Sequence, residues 1–404
     1  GSGGMVNVNK VTGILEALEE SEDVQVYEPL VDVYREWEKD HPFDEGVGWG
    51  NEPWSQEEME LNEALVEEAA EKNEYAIVIL ARTAGEDKDN KMLEGAYCLT
   101  SIEEDMLQKV RKSFAKMIVL LNTGNIMDMS FMDQYRPDAV MYVWQGGMIG
   151  GLGTVDVLTG KVCPSGRLSD TIAAQMSDYP ANPYFGGLEQ NLYVEDIYVG
   201  YRYFESVAKS KVLYPFGFGL SYTTFSMEAD RFSYAENQVS FVMKVTNTGS
   251  VAGKEVVQVY AKAPLGKIGK PARVMIDFKK TKELMPGECE ALTFAIPTSV
   301  FASYNEVSTA EMPTGWVLEA GEYTIYAGGN VRDAYAVGSF TLDELQIVEE
   351  CRNALAPTTA FKRMKMTAAN EHAEAAGVYE IAMEEVPLRV VSPEEKRNAE
   401  LPEG

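Results

Sequence analysis

Two different hydrophobic periods divide the chain. Up to about residue 160, unbroken apolar runs alternate with amphipathic stretches. The runs 75–81 (Tyr-Ala-Ile-Val-Ile-Leu-Ala), 116–121 (Lys-Met-Ile-Val-Leu-Leu) and 139–144 (Ala-Val-Met-Tyr-Val-Trp) read as strands covered on both faces, as in a parallel sheet. Around them, 12–20, 55–72, 100–114 and 148–158 read as helices, with Ile14, Leu15 and Leu18 sharing one face of the first. Ser55 with Glu58, and Thr100 with Glu103, have the spacing of capping boxes. Residues 24–27 are a candidate strand. Strands and helices in this rhythm predict right-handed βαβ units. Further on, the pattern shortens. Segments 239–245, 255–262, 273–284, 290–296, 321–327 and 334–342 read as strands, punctuated by turns at Asn247-Thr248-Gly249 and Pro286-Gly287. Roughly six to eight short strands in about 120 residues describe an antiparallel, immunoglobulin-like sandwich.

The two patterns meet at 213–225, Leu-Tyr-Pro-Phe-Gly-Phe-Gly-Leu-Ser-Tyr-Thr-Thr-Phe. Flexible linkers are small and polar, whereas Tyr214, Phe216, Phe218, Tyr222 and Phe225 need burial, so this reads as a packed junction. After about residue 345 the pattern weakens into an acidic stretch containing Pro357, Pro387, Pro393 and Pro402, which reads as an extended linker. The expected organisation is an α/β three-layer sandwich with a mainly parallel sheet at 1–212, the junction at 213–225, an all-β sandwich at 226–345 and an acidic tail at 346–404. No internal repeat is visible.

Composition narrows the chemistry. A formal charge of −29 over 404 residues argues against a nucleic-acid partner, which needs clustered Lys and Arg. No run approaches the ~18–20 apolar residues of a membrane span, so no membrane partner is expected. The four cysteines, Cys98, Cys163, Cys289 and Cys351, have no metal-ligand spacing and read as free, buried thiols in a reducing, cytoplasmic setting. With only two histidines, His41 and His372, a Ser-His-Asp triad or a His-based zinc site is not expected, and chemistry must run on carboxylates. Gly-Ser-Gly-Gly ahead of Met5 reads either as a cloning remnant or as a native glycine turn, so the start is silent on secretion.

Several motifs carry candidate chemistry. Arg82-Thr-Ala-Gly-Glu86-Asp-Lys-Asp89-Asn90 leaves a buried strand at its carboxyl end, the edge where open parallel sheets bind ligands. On pattern alone it reads as a solvated acidic loop. Gln145 to Gly153 is glycine-rich but fails the dinucleotide fingerprint, because Asp156 stands where the third glycine belongs. Small residues letting a helix pack closely on the sheet explain it better. The aromatic segment 193–204 reads as a strand in which Glu195 or Asp196 contacts a substrate, or in which Arg202 forms an ion pair and the tyrosines pack. Tyr260 and Trp316 offer rings for a glycan but stay unassigned, since isolated aromatics on a sandwich are ordinarily core.

Five segments together resemble glycoside hydrolase family 3: the junction 213–225, the loop 85–90, the block Lys161-Val-Cys-Pro-Ser-Gly-Arg-Leu168, the segment 193–204 and Val245 to Tyr260. The resemblance runs from about residue 11 to residue 333. It implies a retaining β-glycosidase, most often a β-glucosidase or β-xylosidase, built from a (β/α)8 barrel, an α/β sandwich and a fibronectin type III domain. Family members carry Gly-Glu-Gly-x-Asp-Arg after the equivalent strand. Glu86 therefore inherits the general acid/base role, with Asp87 and Asn90 departing from the pattern. Arg82, Asp89 and Tyr97 are the substrate-contact candidates. The family's nucleophile is an Asp on the barrel, and no such segment or eightfold βα pattern is present here. The resemblance thus predicts one piece of a reordered enzyme whose tail leads towards a barrel in the same or a companion chain. It predicts a β-glucoside or oligosaccharide substrate and no metal or organic cofactor, and it leaves a homo-oligomer open. Retention needs two carboxyl groups about 5–5.5 Å apart, and Glu86 would be held protonated near neutral pH by the nucleophile and partial burial. A non-catalytic carbohydrate-binding or scaffold module is the alternative.

Overall fold

The computed structural model describes residues 11–48, 50–83, 89–367 and 381–389. The chain forms two units, Gly1–Val162 and Cys163–Gly404. In chain order the first contains α1 (Ile14–Glu20), α2 (Glu28–Glu38), α3 (Glu63–Lys72), β1 (Tyr75–Ala81), α4 (Ser101–Ser113), β2 (Lys116–Asn122), α5 (Phe131–Tyr135), β3 (Ala139–Tyr142) and α6 (Gly150–Leu158). The three apolar runs form one parallel sheet in the order β1-β2-β3, with Tyr75 opposite Lys116 and Ala81 opposite Asn122. Alternation along β1 sends Ile77 to the cluster of Ala17, Leu18 and Val155 on α1 and α6. Val78 and Leu80 face the other way and are buried with Met117, Val119 and Leu121 of β2, under α4. Helices therefore cover both faces.

The capping box at Thr100 forms: its side chain accepts from Glu103 N, and the Glu103 carboxylate accepts from Thr100 N. The one at Ser55 does not. Helix α3 begins at Glu63, capped by Asn62, whose side chain accepts from Ala64 N. Ahead of it Met59 and Leu61 are buried on alternate positions, an extended period that outweighs helical propensity. Glu58 accepts instead from the Tyr34 hydroxyl at 3.2 Å. Residues 24–27 are no strand either. Val24 and Val26 pack against the α1/α6 cluster and lead into α2, with proline in its first turn. That helix escaped the hydrophobic pattern because Val31 is its sole buried residue. The glycines of the 145–153 segment admit backbone rather than the sheet: a Cβ on Gly151 would collide with the Gly13 carbonyl.

The second unit contains β4 (Ile172–Ala173), α7 (Tyr201–Val207), β5 (Val212–Tyr214), β6 (Phe225–Ala235), β7 (Gln238–Asn247), β8 (Val256–Lys262), β9 (Val274–Lys280), β10 (Cys289–Pro297), β11 (Ser303–Asn305), β12 (Gly315–Leu318), β13 (Gly321–Gly328), β14 (Tyr335–Leu342), β15 (Gln346–Glu350), β16 (Lys362–Lys365) and β17 (Ala382–Glu385). Two antiparallel sheets, β10-β7-β6 and β14-β13-β8-β9, make the sandwich. Their facing residues form one core, in which Phe241 stacks on Phe294 at 4.8 Å and Tyr323 on Phe340 at 5.1 Å. Strand β6 was not foreseen, because a register shift between Asp230 and Ser233 breaks its alternation.

The aromatic junction packs into this unit. Phe216 stacks on Tyr201 at 4.5 Å, and Gln258 donates to the carbonyls of Gly217 and Gly329. Arg167 pairs with Glu255, and Leu168 N donates to Phe218 O at 2.8 Å. The segment expected as a strand at 193–204 is instead a series of turns opening into α7, with Gly200 at φ +54 before its first residue. Among the described residues Arg202 makes no ion pair. Part of the expected linker is also structured. Strand β15 pairs with β12, β16 pairs with β17, and Met366 and Ile381 are buried with Tyr198 and Phe204. The cysteines are unpaired, but Cys289 is exposed and the others half-buried rather than core residues.

Candidate active site

The carboxyl ends of β1, β2 and β3 lie along one edge of the parallel sheet, the position at which α/β sheets bind ligands. Arg82 leaves β1 there and is 8% exposed. Its guanidinium donates to the Glu103 carboxylate at 2.6 and 2.9 Å, and to the carbonyls of Ala81, Ala96 and Cys98 at 2.7, 2.9 and 3.1 Å. All of its donors are thus engaged within the protein. Glu103, 4% exposed, joins this clamp to the first turn of α4 through its capping box. Thr83 N then donates to Trp54 O at 2.8 Å.

Residues 84–88, including Glu86, Gly85 and Asp87, lie outside the described residues. The chain returns with Asp89 exposed and Asn90 half-buried. Asn90 Nδ2 donates to Ile126 O at 2.8 Å, so the amide standing in place of the family's arginine ties this end of the loop to the segment after β2. Tyr97 is 1% exposed, with its backbone bonded to Lys91 and Asp128. Of the three contact candidates, Arg82 and Tyr97 are therefore packed into the scaffold, and Asp89 has its carboxylate in solvent. Gly95 turns the 93–98 loop at φ +75, where a Cβ would meet the Ser55 hydroxyl.

The edge holds one residue the pattern did not flag. Trp144 reads from sequence as the last residue of a strand, yet β3 ends at Tyr142 and Trp144 has φ +57. A bulky residue in the left-handed region is a strained one. Its indole stacks on Tyr142 at 4.6 Å, and the Tyr142 hydroxyl accepts from Met127 N. Only a backbone conformation reveals this, so no sequence signal could have found it. His41, by contrast, is accounted for structurally: it stacks on Trp37 at 4.1 Å, with Nδ1 2.9 Å from Trp37 O.

The model of the glycosyl hydrolase family 3 C-terminal domain matches residues 1–222, and a fibronectin type III-like domain matches residues 255–331. The chain belongs to glycosyl hydrolase family 3. A β-glucosidase of Ruminococcus albus is 48% identical to this family 3 chain over 402 residues, covering 100% of it and 41% of the relative. β-Glucosidase A of Butyrivibrio fibrisolvens is 36% identical, covering 90% of it and 48% of the relative. Among solved structures, a β-glucosidase from Paenibacillus barengoltzii superposes with a TM-score of 0.92 at 45% identity, over 100% of this chain and 44% of that one. β-Glucosidase 3B from Thermotoga neapolitana, in complex with glucose, gives 0.74 at 34% identity, over 84% of this chain and 47% of that one. The family 3 chain thus spans less than half the length of these relatives.

Proposed function

We propose that this chain is the acid/base-bearing part of a retaining β-glucosidase, with Glu86 as the general acid/base. The observation that carries the reading is how the chain is anchored on either side of Glu86: Arg82 is clamped at the carboxyl edge of the parallel sheet, and Asn90 is tied to Ile126. The relatives are β-glucosidases more than twice as long, which leaves room for a barrel carrying the partner carboxylate.

In the complete enzyme a barrel aspartate attacks the anomeric carbon and the C1–O bond breaks. Glu86 gives its proton to the departing oxygen. Esterification removes the nucleophile's charge, so Glu86 then accepts a proton from water as that water attacks C1 and releases the sugar. Asp89, exposed at the loop's far end, is the contact candidate for the substrate's leaving side. By itself the chain should be inactive. The test is Glu86→Ala in the full-length enzyme. Loss should be greatest, about 10²–10⁴-fold, for glucosides with poor leaving groups and small for activated aryl glucosides. Hydrolysis of cellobiose at the parent rate would refute the assignment.

A further inference from the structure

A concave site lies within the second unit, formed by residues 196–198, 267–268, 304–307, 309–312 and the β16/β17 pair. Its volume is about 680 Å³, within the ~300–1,000 Å³ of ligand clefts.

The walls state what they can bind. Arg363 stands at the centre, 3.1 Å from Asp196, 2.5 Å from Glu306 and 3.2 Å from Glu384. Lys365 is bonded to Glu384 at 2.7 Å and Lys267 to Glu311 at 2.6 Å. Each cation is already neutralised by carboxylate, so an anionic ligand finds no unshared positive charge. The carboxylates in turn converge on a guanidinium rather than on a vacant point, the wrong arrangement for a divalent cation. What the cleft offers is a surplus of acceptors. The side chains of Asp196, Glu306 and Glu384 are 33%, 25% and 32% exposed; Asp196 and Glu306 each face Arg363 with one oxygen, and Glu384 divides its two between Arg363 and Lys365. Ile197, Ile268 and Met364 add apolar wall, and Tyr304 adds a ring braced edge-on by Trp316 at 5.4 Å.

Part-exposed carboxylate acceptors beside an aromatic ring match a neutral, polyhydroxylated ligand. Its O–H groups donate to carboxylates, and its C–H face lies on the ring. Asp196 sits at φ +49 in the turns ahead of α7, with its carboxylate 3.1 Å from Arg363. We propose that this cleft is a non-catalytic binding site for an oligosaccharide, with Tyr304 as the stacking face and Asp196, Glu306 and Glu384 as hydroxyl acceptors.

The test is titration calorimetry of the 404-residue chain with cellotetraose. The parent should give saturable one-site binding, weakened about tenfold in Tyr304→Ala, the equivalent of one lost aromatic contact. Tyr304→Leu keeps apolar packing against Trp316 and should lose the same affinity, which separates a lost stack from a lost fold. Glu86→Ala should bind as the parent does, so this outcome is independent of the catalytic assignment. No saturable heat up to about 20 mM sugar, equal affinity in Tyr304→Leu, or loss of binding in Glu86→Ala would each overturn the proposal.

Discussion

Replacing Arg82 by alanine should unlock the first unit. The substitution removes five hydrogen bonds, two of them to Glu103, and leaves that carboxylate 4% exposed with the Thr100 amide as its one remaining partner among the described residues. Breaking a buried ion pair from one side costs about 3–5 kcal/mol, because the surviving charge is stranded away from water. With an m-value of roughly 2 kcal/mol/M, the urea midpoint should fall by about 1.5–2.5 M. Four of the five tryptophans, Trp37, Trp49, Trp54 and Trp144, lie in this unit, so indole fluorescence reports its unfolding. The double variant Arg82→Met/Glu103→Gln removes both charges together and keeps a capping side chain at the third position of α4. It should recover more than half of the lost stability. A cost below about 1 kcal/mol for Arg82→Ala, or no recovery in the double variant, would show that the clamp does not hold the loop's root.

Gly151→Ala should destabilise by about 2–3 kcal/mol despite alanine's better helix propensity, because the new Cβ meets the backbone carbonyls of Gly13 and Thr12, which cannot move aside; chemical denaturation measures it. Asn247 is fully buried, accepting from Thr223 Oγ1 and Gly249 N and donating to the carbonyls of Val251 and Leu284 at 2.8 Å each. Asn247→Ala should therefore cost about 2–4 kcal/mol in the second unit, read from its thermal transition. Burial raises the Glu58 carboxyl above its ordinary value, with the backbone and Tyr34 hydrogen bonds pulling the other way. A raised folded value means its contribution is fully present below the ordinary value of 4.5 and is lost as pH rises above it through the raised folded value. Glu58→Gln keeps an acceptor for Tyr34 without titrating, so its stability relative to the parent should improve between pH 4 and pH 7. A pH-independent difference would contradict this.

The class of each half was legible because periodicity is a local property. Seven consecutive apolar residues at 75–81 can hardly be anything but a covered strand, and alternating positions such as Val239, Phe241, Met243 and Val245 point to one face of a sheet. The Thr100 box was legible for the same reason, since its two partners are three residues apart. So was the candidacy of Glu86, through the motif around it.

Tertiary structure decided what depends on residues distant in the chain. Ser55 and Glu58 have the spacing of a cap, but Tyr34 and the buried Met59 and Leu61 hold that stretch extended. Arg82 looked like a ligand contact, and only the fold brings Glu103 and three carbonyls to it. The same holds for the cleft around Arg363, whose carboxylates come from positions 196, 306 and 384. A sequence specifies which groups want burial or a partner. Which partner each one finds is set by the competition of all such demands for one packed interior, and that is resolved only when the chain has folded.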